Sequence, residues 1–184
     1  MRIVIDLQGA QNDSKNRGIG RYSLSIALAI ARNKGPHEIL IMLSAAFADT
    51  IDEIRAAFGE SLPDSAFKIF HPLGPTHTAD PLNIWRRDAS ELLYEHFLAT
   101  LNPDAVIVCS PMEGWGDQTI SSMHKVKQNY LIAPVLYDLI PLVQHHQNDL
   151  DWPEATLAWY LRKADDFRRT DVVLSISPVS RTTS

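Results

Sequence analysis

Short runs of β-branched and apolar residues recur along this chain, separated by segments far too long for hairpin turns, and that spacing limits the folds open to it. Arg2 to Leu7, His37 to Leu43, Phe67 to Phe70, Ala105 to Cys109, Leu131 to Leu136 and Val172 to Ile176 read as strands. The fourth is uninterruptedly apolar, as expected of a parallel strand covered on both faces. Ile19 to Asn33, Phe47 to Phe58, Leu82 to Leu101 and Glu154 to Arg169 read as helices, with stripes such as Ile51, Ile54 and Phe58 on one side. Gly35-Pro36, Gly59 and Asn102-Pro103 supply stops. Strand and helix in alternation imply right-handed crossovers and a parallel sheet with helices on both sides.

The fold class expected is therefore α/β, a Rossmann-like three-layer domain. At 184 residues the chain suits one domain spanning 1–184. A domain near that size buries roughly 70% of the surface its unfolded chain exposes, so it needs no staples. The single cysteine, Cys109, cannot form an internal disulfide and fits a reducing compartment. Met1-Arg2 runs straight into a strand rather than a secretory signal, and the longest helical apolar stretch, Leu24 to Ala31, is far short of the roughly 20 residues of a membrane span. A cytoplasmic protein, at most peripherally associated with membranes, is expected. The net charge of −5, with no basic cluster, disfavours nucleic acid as a partner.

Ligands of open parallel sheets bind outside the carboxyl ends of the strands. Four loops belong there. In Asn16-Arg17-Gly18-Ile19-Gly20-Arg21-Tyr22, glycines at a helix start allow close backbone approach, and two arginines favour an anion such as a diphosphate. A turn that merely shapes helix entry explains the same residues equally well. The motif is no dinucleotide fingerprint: about ten residues separate it from the strand, Ser23 replaces the third glycine, and the second strand ends without an acid for a ribose. In Ser110 to Asp117, Glu113 beside Gly114-Trp115-Gly116 suits sugar hydroxyls and a sugar ring; a tight turn with a core tryptophan and a capping Asp117 is the plainer reading. Asp138, in Tyr137-Asp138-Leu139-Ile140-Pro141, is a carboxylate among apolar residues, expensive unless paired or used. Its plainer role is to accept neighbouring backbone N–H groups. Ser177-Pro178 reads as a helix start.

Metal binding is not expected. His145 and His146 are adjacent and point apart on a helix, and His71 and His77 lack a partner motif. Arg162-Lys163 and Arg168-Arg169 interleave with Asp165-Asp166 as a solvated, salt-bridged face, and Trp85 and Trp159, in helices, read as core or interface packing residues.

Taken in order, Ile-Asp-Leu-Gln at the first strand end, Arg-Gly-Ile-Gly-Arg-Tyr-Ser, Glu-Gly-Trp-Gly-Asp, Tyr-Asp-Leu-Ile-Pro and Val-Leu-Ser-Ile-Ser-Pro-Val-Ser-Arg resemble the amino-terminal domain of retaining glycosyltransferases of GT-B architecture. Among these, the group resembled is the mannosyltransferase-like enzymes of bacterial surface-polysaccharide assembly. The resemblance spans essentially the whole chain. It implies that Gly18, Gly20, Arg21 and Tyr22 line an interdomain cleft, facing the diphosphate and transferred sugar of a nucleoside-diphosphate-sugar donor. It places Glu113 and Gly114 on the side of a glycan or lipid-linked acceptor, and Asp138 near the reaction centre as the catalytic residue. Tyr137 stands where many such enzymes carry histidine, so a role belonging to that histidine does not transfer. The family binds its donor mainly through a second, carboxyl-terminal domain, which the resemblance puts outside residues 1–184. The activity implied is hexose transfer with retained configuration and no metal, by an enzyme of which this domain alone is inactive. A small nucleotide-binding protein and a non-catalytic interaction module are the alternatives.

Overall fold

The computed structural model describes residues 1–147 and 151–176. Six strands form one sheet in which every neighbouring pair is parallel: β1 (Arg2–Asp6), β2 (Glu38–Ser44), β3 (Phe67–Phe70), β4 (Ala105–Val108), β5 (Leu131–Leu136) and β6 (Leu174–Ser175). Their order is β3-β2-β1-β4-β5-β6, the doubly wound arrangement. The helices are α1 (Gly18–Arg32), α2 (Ile51–Phe58), α3 (Ile84–Thr100), α4 (Ile140–His146) and α5 (Glu154–Arg168). The chain winds outward from β1 to β3, and α3 then carries it back to β4 on the other side of β1. Right-handed crossovers put α1 and α2 on one face and α3 and α5 on the other. Accordingly Arg162 of α5 reaches Glu91 of α3 at 3.8 Å.

Covered faces explain the apolar runs. Ile39 to Ser44 are all buried, and Val4 of β1 lies between Leu40 and Val106 in register. Phe58 and Tyr94 close the core from the helices. Gly59, at φ +50°, ends α2, and Asn102, at φ 50°, follows the end of α3.

The structure departs from the sequence reading in three elements. α4 is not among the four helices read from the sequence, although His145 and His146 are weighed there as helical neighbours; Pro141 stands in its first turn. The connection from β4 to β5, Cys109 to Tyr130, holds neither α-helix nor strand. α3 turns charge inward: Arg87, Ser90, Glu91, Tyr94, Glu95 and Leu98 are buried, while Trp85, Leu92 and Leu93 are exposed. Trp85 thus lies outside the core, and the Arg86 guanidinium covers its indole at 4.8 Å. Among the described residues no helix is long and apolar enough to cross a membrane. The helix start read at Ser177 to Ser184 lies outside the described residues.

Candidate functional site

Because all strands run one way, the loops after β1, β4 and β5 leave the same edge, and the strand order reverses between β1 and β4. That reversal opens a crevice in which ligands of such sheets sit.

Asp6, the last residue of β1, lies beneath the crevice and is 1% exposed. Tyr94 Oη donates to its Oδ2 at 2.6 Å, and Gln8 donates through its backbone N–H at 3.1 Å and through Nε2. Burial pushes the Asp6 carboxyl up to about 6 in spite of these donors. Gln8 reaches across to pair with Ile120, donating to its carbonyl at 2.6 Å and accepting its N–H at 3.2 Å.

The segment between β1 and α1 is a folded, largely buried strap rather than an open loop. Asn12 caps a tight turn by accepting the Ser14 N–H at 2.9 Å, and donates to Thr119 Oγ1 at 3.0 Å. Gly20 sits against that turn: a Cβ there would lie 2.4 Å from Lys15 Cα and from the Ser14 carbonyl oxygen. The close approach this glycine permits is therefore to the chain's own backbone, as the turn-shaping alternative for this motif has it. Gly18 is exposed and a Cβ there would meet nothing, and Arg21 is exposed beside the same helix start.

Glu113 leans from the β4 loop towards this strap and accepts from Ser14 Oγ at 2.9 Å. Burial, reinforced by the neighbouring Asp117 carboxylate and offset only in part by Ser14, pushes it up to about 7. Asp117 does not cap a helix; its Oδ1 accepts the Thr119 N–H at 2.6 Å within the loop. Gly114 has φ +103° and is packed so that a Cβ would fall 2.5 Å from the Thr119 carbonyl oxygen. Trp115 packs against Trp159 of α5 at 5.6 Å between ring centres.

Tyr137 joins the β5 loop to α1. Its hydroxyl bonds the Cys109 carbonyl at 2.9 Å, the Ile19 carbonyl at 3.3 Å and Ser23 Oγ at 3.0 Å, and its ring meets Tyr22 edge-on at 5.6 Å. Burial raises this phenol well above its ordinary value, with Glu113 among the charges that act on it. Gly18 to Tyr22, Glu113, Gly114 and Tyr137 thus converge on one rim. Asp138 stands on that rim but is exposed, so the burial argument that singled it out fails. Its Oδ1 accepts the Ile140 N–H at 3.1 Å and fixes the turn into α4, and its charge acts on Tyr160 of α5. The carboxylate that is buried at a strand's carboxyl end is Asp6.

The sequence reading also missed the groups that hold the β4–β5 connection in place. Arg87, 3% exposed, donates through Nη1 to the carbonyls of Thr76, Gly114 and Thr119 at 3.1, 2.9 and 3.4 Å, and through Nε to Glu91 at 3.0 Å. Lys163 is buried, not solvated as its charged neighbours suggested; its Nζ donates to Ser121 Oγ at 2.8 Å and to the Ser121 carbonyl at 3.2 Å. Burial and the Arg87 charge pull this amine down to about 7. The rest of that helix does form the expected surface pairs, Arg168 with Asp165 and Arg169 with Asp165 and Asp166. Among the described residues, no three His, Cys, Asp or Glu side chains are grouped as metal ligands.

No protein-family model matches the chain. Over 180 residues it is 32% identical to the "Serotype-specific mannosyltransferase WbdA" of Escherichia coli, a match covering 96% of this chain and 21% of that protein. A second protein of that name and organism is 28% identical over 152 residues, covering 81% of this chain and 18% of the relative. The chain is homologous to part of a mannosyltransferase. It spans about a fifth of the length of the curated relatives it matches. Among solved structures, the crystal structure of CalG4, the calicheamicin glycosyltransferase, aligns over 98% of this chain and 50% of its own, with a TM-score of 0.46 and 13% identity.

Proposed function

We propose that these residues form the acceptor-side, amino-terminal domain of a retaining GT-B glycosyltransferase that moves a mannose-like hexose from a nucleoside-diphosphate sugar to a glycan or lipid-linked acceptor. The observation that carries this reading is the 32% identity to a mannosyltransferase across nearly the whole chain. The convergence of sugar-compatible groups at the switch point of the sheet supports it.

In this reading the donor's diphosphate faces the exposed Gly18 and Arg21 at the start of α1, where unpaired N–H groups and the helix dipole favour an anion. Glu113 and Asp117 bond acceptor hydroxyls, and the Trp115 indole offers an apolar face to a sugar ring. Tyr137 holds the β5 loop on α1, and Asp138, exposed beside it, contacts hydroxyls at the reaction centre. A donor-binding domain outside residues 1–184 closes over this rim, and alignment of acceptor, sugar and diphosphate supplies much of the acceleration. No metal is needed where N–H groups and arginines stabilise the departing diphosphate.

Calorimetry on the purified chain tests the assignment. Mannose-terminated oligosaccharides are expected to bind in the millimolar range, about −4 kcal/mol, and Glu113→Gln is expected to weaken that binding at least fivefold. Submicromolar binding of a nucleotide or nicotinamide cofactor would instead identify a self-contained nucleotide-binding protein. Transfer of mannose from a nucleoside-diphosphate sugar by this chain alone would contradict the division of labour proposed.

A further inference from the structure

Arg87 stands on α3, outside the loops that form the rim, yet it holds three backbone carbonyls from two loops. The Thr76 carbonyl belongs to the loop after β3, the Gly114 carbonyl to the loop after β4, and the Thr119 carbonyl to the return path towards β5. All three accept from one nitrogen, Nη1. The Gly114 carbonyl also accepts from the Thr78 N–H at 3.1 Å and from Thr78 Oγ1 at 2.8 Å, so the same oxygen anchors one loop to the other. Its neighbour Trp115 repeats the stitch, accepting the Ala79 N–H at 2.9 Å.

The guanidinium itself is fixed from behind by Glu91, which is 2% exposed and is further compensated by Lys125 at 2.8 Å and Arg162 at 3.8 Å. Nη1 alone meets the loop carbonyls, and among the described residues Nη2 has no hydrogen-bond partner. The Nε bond to Glu91 fixes the guanidinium plane and so aims Nη1 at all three, whereas a lysine ammonium has one nitrogen and cannot bond Glu91 and all three carbonyls together. Gly114 is shaped to this guanidinium. With φ +103° and only 2.9 Å between an added Cβ and Nη1 or Nη2, the position takes no side chain without displacing Arg87 or Thr119. Glu113 is the residue immediately before this pinned peptide.

We propose that Arg87 is a positioning residue: by clamping the Gly114 carbonyl it sets how deeply the Glu113 carboxyl is held in the crevice. The consequence for sugar binding rests on the function proposed above; the clamp itself does not. Its signature is the environment of Glu113, which burial now dominates. Loosening the clamp lets water reach that carboxyl and returns its titration towards the ordinary glutamate range.

The test is carboxyl-carbon NMR titration of Glu113 in the purified chain. Arg87→Lys keeps the charge but loses the guanidinium, and is expected to lower the Glu113 midpoint by one pH unit or more. Gly114→Ala disturbs the same contact from the other side and is expected to move the midpoint in the same direction. Leu98→Ala, a truncation in the core away from the rim, lowers the melting temperature and leaves the midpoint where it is. If Arg87→Lys does not fold, Gly114→Ala decides. An unmoved midpoint in folded Arg87→Lys, or in Gly114→Ala if that variant decides, overturns the proposal and reduces Arg87 to a stabilising residue. Oligosaccharide calorimetry separates this failure from failure of the functional reading. If Glu113→Gln leaves sugar affinity unchanged while Arg87→Lys still shifts the Glu113 midpoint, the acceptor assignment fails and the clamp stands.

Discussion

Asp6 and Lys163 are each sealed from solvent, and folding moves their protonation in opposite directions. Burial raises Asp6 from 3.8 to about 6, so the folded chain holds that proton more tightly than the unfolded one. Stability from this group therefore falls as pH rises from about 4 to about 6. Glu113 acts in the same sense between 4.5 and about 7. Lys163 is lowered from 10.5 to about 7, so the unfolded chain binds its proton more tightly across that window and stability rises with pH there. Glu91 is held low by Lys163, Arg87 and Lys125 against its own burial, and its contribution is lost only as pH falls below its ordinary 4.5. Together these groups predict a stability minimum near pH 7. Denaturant unfolding across pH checks it: Asp6→Asn is expected to remove up to about 3 kcal/mol of the decline between pH 4 and 6, leaving the part due to Glu113. An unchanged acid limb would mean that Asp6 titrates in the folded chain as it does in the unfolded one.

At the scale of elements, the strap between β1 and α1 sets how α1 meets the sheet edge, and its two glycines play different parts. Gly20→Ala drives a methyl into the Lys15 backbone and the Ser14 carbonyl, and is expected to cost about 1–3 kcal/mol. Gly18→Ala meets open space and is expected to be neutral or to stabilise by up to about 1 kcal/mol. Thermal melts of the pair check this; equal losses would contradict the packing described. From the sequence the two positions looked alike, because a glycine before a helix is equally suited to meeting a ligand and to meeting its own chain. The strands were legible for a simpler reason. In β2 burial on both faces writes a continuous apolar run, and in β4 Val106 and Val108 are buried on one face with Ala105 and Ile107 half-buried on the other, whereas α3, which turns Arg87, Glu91 and Glu95 inward, carries no such stripe. α4 is only seven residues long, too short for a helical period to stand out. The β4–β5 connection was illegible because side chains of distant elements, Gln8, Arg87 and Lys163, satisfy its backbone rather than its own neighbours.

For the whole molecule, the strand order brings residues far apart in sequence to one crevice: Tyr22 meets Tyr137, and Ser14 meets Glu113. Order along the sheet was fixed by where α3 returns the chain, a long-range choice that local pattern does not record. Of the residues named from the sequence, Tyr22 and Tyr137 touch and Glu113 meets the strap before α1, whereas Asp138 was singled out by an argument that belongs to Asp6. On the function proposed, this rim is where the acceptor sugar binds. The most direct test is to map, by amide chemical-shift changes, where a mannose-terminated oligosaccharide touches the purified chain. Changes are expected to concentrate at Gly18 to Tyr22, Glu113 to Asp117 and Tyr137-Asp138. Changes confined to the opposite edge of the sheet, around Arg2, Lys34 and Lys68, would contradict that placement.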